Sequence, residues 1–340
     1  MNINQAIEQL VATKTDLTKD DAFSIFEAIL NGECSSPAIA SFLTALRSKG
    51  ESVSELLGGY NALMKYCSFI QPNRENLVDP VGTGGDLTGT FNISTTSAFV
   101  AAGAGVNIAK HGNRSVSSKS GAADVLEKLG LNITLSPEQC KKVIEEVGIS
   151  FLFAPVFHSA MKHAVEARKE MKIRTIFNIL GPICNPAGVK KQVIGIFDHS
   201  WAGKIAEVLK QKGSEHILIV TGVDGMDEIT LTGETKVTEL KMGKISEYSI
   251  KPEDFGFTCC SLNDLKGGGA EENNLIVKKI LSGKDTSPKR DIVLLNAGAT
   301  IYVSGKTASI AEGIELARRS IDSGNAMKKL EDLVKVTTSF

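Results

Sequence analysis

DPVGTGGDLTGTFNISTTSAFVAAGAGVNIAKHGNRSVSSKSG, residues 79–121, is the stretch whose texture decides the fold. It opens at the end of an apolar run and passes through a glycine turn. It then enters a helix over 94–102 and returns as a second apolar run over 106–109. Strand, turn, helix and strand in that order make a parallel unit. The alternation continues downstream. Residues 149–154, 193–197 and 217–221 read as buried strands, with helices near 121–129, 137–147 and 202–212 between them. Apolar runs without polar alternation predict a mainly parallel central sheet flanked by helices on both faces. The C-terminal third is expected to hold one more βα passage, then helical packing elements over 297–303 and 308–321. Lys266-Gly-Gly-Gly-Ala270 reads as a loop.

Upstream of residue 71 the period is helical throughout. Thr18 is placed to cap a helix that ends at Gly32, with Asp20 and Asp21 in its first turn. Ser36-Pro37 reads as a cap with a first-turn proline, and Gly50 closes that helix. Ser52 with Glu55 three residues on has the capping-box spacing. The chain therefore divides into a small all-helical domain, 1–70, and a larger α/β domain, 71–340.

The 340 residues carry 38 Lys+Arg against 39 Asp+Glu, a net charge of −1. That excludes a global electrostatic footprint for nucleic acid or an anionic membrane, though not a local basic pocket. No run approaches the ~20 apolar residues of a membrane span. Met1-Asn-Ile-Asn-Gln5 lacks the basic start and apolar block of a secretory signal. The six cysteines show no Cys-x-x-Cys spacing and read as reduced thiols in a cytoplasmic protein.

Chemistry concentrates at predicted strand ends. Asp79-Pro-Val-Gly-Thr-Gly-Gly-Asp86 lets the backbone approach a phosphate closely, although a plain tight turn would use the same glycines. The dinucleotide fingerprint fails, because Leu87 occupies its third glycine position. Thr90-Phe-Asn-Ile-Ser-Thr-Thr96 sets four hydroxyls and an amide at a helix start, more than a cap requires and suited to an anion or a hydrated metal. Lys110-His-Gly-Asn-Arg-Ser-Val-Ser-Ser-Lys-Ser-Gly121 packs three cations into a hydroxyl-rich loop, which suits a polyphosphate. Asp224-Gly-Met-Asp-Glu228 follows a strand and offers carboxylates to magnesium. An acid/base pair is the alternative there, but adjacent residues on extended chain point to opposite faces. Arg168 lies in a charged helix that reads as a solvated face, and His158 and His163 read as structural.

Taken together, these motifs resemble the anthranilate phosphoribosyltransferase family. The resemblance rests on Gly82-Thr-Gly-Gly-Asp86, Asn92-Ile-Ser-Thr95, Lys110-His-Gly-Asn-Arg-Ser-Val-Ser-Ser118, Arg174-Thr-Ile-Phe-Asn-Ile-Leu-Gly-Pro182, Asn185-Pro186 and Asp224-Gly-Met-Asp-Glu228. Any one is weak; in this order they span essentially the whole chain. The resemblance implies attack of the anthranilate amine on C1 of phosphoribosyl pyrophosphate with release of pyrophosphate, the second step from chorismate to tryptophan. It implies donor binding by Gly82, Gly85, Asp86, Thr90, Asn92, Ile93, Ser94, Thr95, Lys110, His111, Gly112, Asn113, Arg114, Ser115, Val116, Ser117, Ser118 and Ala122. It further implies an anthranilate site at Gly82, Asn113 and Arg168, and Mg2+ at Ser94, Asp227 and Glu228, two ions per subunit. His111 is expected in a supporting catalytic role. Residues 158–186 are expected to return to the helical domain, and the chain to form a cytoplasmic homodimer without nucleic-acid or membrane partners.

Two positions depart from the family pattern. Ala122 stands where serine is common, and Met226 where leucine is common. Two other readings stay open on the sequence. A pyrimidine-nucleoside phosphorylase shares this architecture, but is longer and has no obvious task for Asp227-Glu228. A non-catalytic nucleic-acid-binding relative would need a basic stripe on the folded surface.

Overall fold

The computed structural model describes residues 1–86, 88–114 and 120–340. Among these residues seven strands form one sheet. They are β1 (Val78–Gly82), β2 (Ile108–Gly112), β3 (Ile149–Phe153), β4 (Lys191–Gly195), β5 (His216–Gly222), β6 (Thr235–Lys241) and β7 (Lys244–Ile250). Their order is β3-β2-β1-β4-β5-β6-β7, parallel from β3 to β5 and antiparallel beyond. Every residue of β3 and β5 is buried, which is why both read as mostly apolar runs without regular polar alternation.

One expectation is corrected in the C-terminal third. No further βα passage follows β5; β6 and β7 form an antiparallel hairpin instead. Its two-residue turn is Met242-Gly243, at φ +49° and +80°. Both left-handed residues match the strand twist. Methionine is a poor turn signal, so local sequence hid the hairpin. The helical packing elements are longer than the periodicity indicates, Pro288–Ser304 and Ile310–Asp322.

The N-terminal helices follow their caps. Thr18 Oγ1 accepts the Asp21 N–H at 3.1 Å and starts Lys19–Leu30. Ser35, not Ser36, caps Ser36–Lys49; the Ser36 hydroxyl donates instead to Glu166 at 3.0 Å. The Ser52/Glu55 capping box is present, and the buried Glu55 carboxylate also accepts from Leu17 N–H and Lys49 Nζ, each at 3.0 Å. Helices Lys162–Met171 and Ile176–Ile183 return from the far side of β3 and pack on this bundle.

The sheet alternates its side chains between two cores. Ile194, Ile217 and Ile219 join Phe26, Phe42 and Leu180 of the helical side in one cluster. Val193, Leu218 and Val220 face the other way, into a cluster with helices Ile93–Gly103 and Pro288–Ser304. The helical bundle thus shares one core with that face of the sheet, and its helix Val53–Lys65 packs on helix Ala202–Gln211 of the larger domain.

Candidate active site

The strand order itself opens a crevice. From β1 the chain proceeds to β2 and β3 on one side, and β4 returns to pair with the other side of β1. Connections leaving in opposite directions part at the strands' carboxyl ends, where ligands of open α/β sheets bind. β1 ends at Gly82, paired with Gly195 of β4. Gly84 and Gly85 follow at φ +64° and +74°, conformations that glycine adopts without steric cost. Asp86 closes the loop by accepting from Thr88, N–H at 3.2 Å and hydroxyl at 2.5 Å.

The acidic pair sits in the turn after β5. The two side chains do diverge, yet both remain in the crevice because each meets a different neighbouring loop. Asp227 Oδ2 accepts the Gly84 N–H at 2.6 Å, and Glu228 Oε1 accepts the Ser94 N–H at 3.0 Å. Burial, with Asp86 nearby, pushes Asp227 up to about 7; burial, with Asp227 nearby, pushes Glu228 up to about 8. Two such carboxylates side by side want a cation. Lys110, itself 4% exposed, supplies part of that charge. Its Nζ donates to Pro80 O at 2.6 Å and to Ser94 Oγ at 3.3 Å. Burial lowers its pKa, and the charges of Asp79, Glu228 and Asp227 oppose that.

β2 delivers Lys110, His111 and Gly112 to the same crevice. Asp79, wholly buried, holds that strand end: its Oδ1 accepts His111 N–H at 3.1 Å and its Oδ2 accepts Asn185 Nδ2 at 2.7 Å. Burial takes the His111 imidazole down to about 3, with His158 adding to the shift at 5.2 Å between rings. His111 is therefore a neutral imidazole near pH 7, unable to act there as an imidazolium acid. Asn113 is exposed at the rim, its Oδ1 accepting the Arg114 N–H at 2.7 Å. Arg114 is turned to Asp124 and Glu127, at 2.9 and 2.6 Å. The expectations at Ser115, Val116, Ser117 and Ser118 lie outside the described residues.

The remaining expected residues divide by what they can offer. Ile93 and Thr95 are buried, so they anchor the helix Ile93–Gly103 rather than present side chains. Asn92 is its N-cap without a side-chain cap bond; its Nδ2 donates to Ser120 O at 3.2 Å. Thr90 pairs with Lys266 as an isolated bridge. Ala122 is the first residue of helix Ala122–Lys128. Met226 is fully buried and fills core volume, as leucine would. Arg168 is half-buried 5.4 Å from the Phe177 ring and has no ion pair among the described residues. That overturns its reading as a solvated face.

Sequence reasoning gave no role to several residues at this site. The Arg174 guanidinium lies 3.6 Å from the centre of the Phe197 ring and donates to Gly85 O, while Arg47 donates to Arg174 O at 2.5 Å. These contacts join the helical bundle to the glycine loop. Asn296, buried in helix Pro288–Ser304, grips Ile229 just beyond the acidic pair, accepting its N–H at 3.0 Å and donating to its C=O at 2.9 Å. Nothing local marks Arg47 or Asn296, because their partners lie 127 and 67 positions away.

With the geometry in view, the class is clear. Residues 4–67 match the helical bundle domain of a glycosyl transferase family, and residues 74–327 match its a/b domain. Similar curated proteins are the anthranilate phosphoribosyltransferases of Acetivibrio thermocellus and Hahella chejuensis. The first is 49% identical, covering 99% of this chain and 97% of that one; the second is 48% identical, covering 100% and 99%. Among solved structures, the Thermus thermophilus anthranilate phosphoribosyltransferase superposes with a TM-score of 0.92 at 41% identity, covering 98% of this chain and 99% of that one. The Saccharomyces cerevisiae enzyme in complex with PRPP and Mg gives 0.91 at 30% identity, covering 99% and 98%. The chain belongs to the anthranilate phosphoribosyltransferase family.

Proposed function

We propose that the chain transfers the phosphoribosyl group of phosphoribosyl pyrophosphate to the amine of anthranilate, releasing pyrophosphate. The observation that carries this reading is the Asp227/Glu228 pair, half-buried and tied to the two backbone segments an anion would use, Gly84 and Ser94. The pair fits magnesium. Mg2+ takes one or two carboxylates together with waters and substrate phosphates rather than a full protein cage. Asp227, Glu228 and Ser94 would hold the ion, whose chemistry is to neutralise charge on the pyrophosphate.

The residues then act by position and charge. The Gly82–Asp86 loop, the helix start at 92–95 and the Lys110 loop would cradle the phosphates and ribose. Leaving pyrophosphate gathers negative charge, and Lys110 stabilises it from a site that needs no reorganisation. The aromatic amine is neutral at pH 7, so it needs alignment more than a base. Neutral His111 suits a supporting contact of that kind. Gly82, Asn113 and Arg168 would form the anthranilate site, with Arg168 facing the carboxylate. Seating of the bundle over the crevice would keep water from a hydrolysable donor.

The division into domains 1–70 and 71–340, two ions per subunit, a cytoplasmic setting and a homodimer belong to the same proposal. Exposed Val11, Val165 and Ile173 on the helical side support a partner surface there. No helix of the described residues is long and apolar enough to cross a membrane.

The direct test is loss of anthranilate fluorescence on adding phosphoribosyl pyrophosphate, with and without Mg2+. Magnesium-dependent loss is expected; none with folded protein would mean a different acceptor. Two further outcomes follow. Arg168→Ala should raise the anthranilate KM roughly 10- to 100-fold, the worth of a charge-assisted pair, and the donor KM far less. Equal effects on both would remove that role. The acidic pair also sets a pH dependence. Its folded pKa values are raised, so its contribution is fully present below the unfolded carboxylate range and is lost as pH rises towards about 7 and 8. Mg2+ relieves the ionised pair, so its increment in Tm should be larger at about pH 8 than at about pH 6. An increment independent of pH would contradict this account.

A further inference from the structure

The loop Lys266-Gly-Gly-Gly-Ala270, unremarkable in sequence, is pressed against the segment that starts the donor-site helix. Gly267 N–H donates to Gly89 O at 3.0 Å, and Lys266 bridges Thr90. A Cβ on Gly267 would stand 2.6 Å from Phe91 Cα, so no side chain fits there. Asn273 follows one turn into helix Ala270–Leu281 and is 1% exposed. Its Oδ1 accepts the Gly268 N–H at 2.8 Å, which leaves its Nδ2 as the donor to Asn92 Oδ1 at 2.9 Å.

We propose that Asn273 is a positioning residue for phosphoribosyl pyrophosphate, fixing which end of the Asn92 amide faces the donor substrate. The inference rests on the reading that residues 92–95 hold that substrate. A side-chain amide is nearly symmetric in shape but opposite in polarity at its two ends. With Oδ1 held by Asn273 and one Nδ2 hydrogen given to Ser120 O, Asn92 keeps a second N–H to offer. Flipped, it would set N–H against the Asn273 N–H, and C=O against both Ser120 O and an anion. Each of those contacts is repulsive, so one bond from Asn273 decides the polarity of the site.

This predicts an order that a structural role would not. Asn273→Ala removes the donor and leaves Asn92 free to turn. Asn273→Asp keeps an acceptor for Gly268 N–H but draws the Asn92 N–H to itself, which turns its carbonyl toward the substrate. The donor KM should rise at least about fivefold in Asn273→Ala and about tenfold or more in Asn273→Asp, with the anthranilate KM within about twofold. A packing role would make Ala the worse variant, and that order overturns the proposal. Asn273→Ser replaces Ala should Ala not fold.

The added charge of Asp is separated from the amide effect by a double-mutant cycle. In an Asn92→Ala background the effect of Asn273→Asp should vanish; if it persists in full, the effect does not run through Asn92 and the proposal falls. If Asn92→Ala raises the donor KM while both Asn273 variants leave it unchanged, the positioning role alone fails. If Asn92→Ala itself leaves the donor KM unchanged, the site reading fails and takes the proposal with it.

Discussion

Glu228→Gln is expected to lower kcat/KM roughly 10²- to 10³-fold, the usual effect of deleting a charge that organises a transition-state electrostatic site. The substitution is nearly isosteric. A glutamine oxygen can still accept the Ser94 N–H that Glu228 takes at 3.0 Å. What disappears is one of the two half-buried charges. Burial and Asp227 together push Glu228 up to about 8, so the folded protein bears a cost for ionising it near neutral pH. Removing that charge should hold Tm or raise it while activity collapses. Loss of function with retained or improved stability marks a group kept for chemistry rather than for folding. Lys110 keeps Asp79 and Asp227 as counter-charges, so the variant leaves no bare buried cation. The measurement is paired: steady-state rates across a Mg2+ titration, and a thermal melt. Activity within about tenfold of the parent would mean that Asp227 alone suffices.

Gly195→Ala should disable the same site from the scaffold. Gly195 ends β4, and an added Cβ would lie 1.6 Å from the Asp227 carbonyl oxygen, an impossible approach to backbone. Its partner across the sheet, Gly82, would place a Cβ 2.6 Å from Asp227 Oδ2. The two glycines form a slot into which the Asp227 turn fits, and Thr83 N–H donates to Gly195 O at 2.9 Å beside it. A methyl group there must displace either the turn or the strand ends. Overpacking of a close-packed interior costs about 1–3 kcal/mol and sometimes more. Displacement of Asp227 by about an ångström would cost a further ~10²-fold in rate, because positioned groups act only at their geometry. Gly203→Ala is the control. Its Cβ meets nothing within 4 Å, in helix Ala202–Gln211. It should be neutral or stabilising by up to about 1 kcal/mol. A Gly195→Ala protein with parental Tm and rate would refute the slot.

Local patterns carried much of the architecture. The parallel strands are legible because burial on both faces removes polar alternation, and β5 is buried along its whole length. Thr18 and Ser52 are legible as caps because a helix start leaves N–H groups unpaired and short polar side chains meet them. The cap one residue earlier, Ser35, was obscured by two adjacent serines of equal chemistry. The β6–β7 hairpin was hidden by a Met-Gly turn in which only the glycine advertises a left-handed backbone.

The site shows the same boundary. Residue type and order marked Gly82–Asp86, Asn92–Thr95, Lys110–Asn113 and Asp227-Glu228 as candidates, and the structure brings Gly84, Ser94, Lys110, Asp227 and Glu228 together. Arg168 looks like one more charge on a polar helix; only packing against Phe177, without an ion pair among the described residues, distinguishes it. Asn273 and Asn296 carry no local signal. Asn273 reaches a partner 181 positions away and Asn296 one 67 away. By itself the sequence determined the helical start, the parallel sheet and the chemical inventory of the crevice, since each follows from the properties of neighbouring residues. Only the tertiary structure decided which way Asp227 and Glu228 face, that Arg114 is held by carboxylates, and which distant amides orient the site. Those depend on the relative placement of remote strands and helices, which no local pattern encodes.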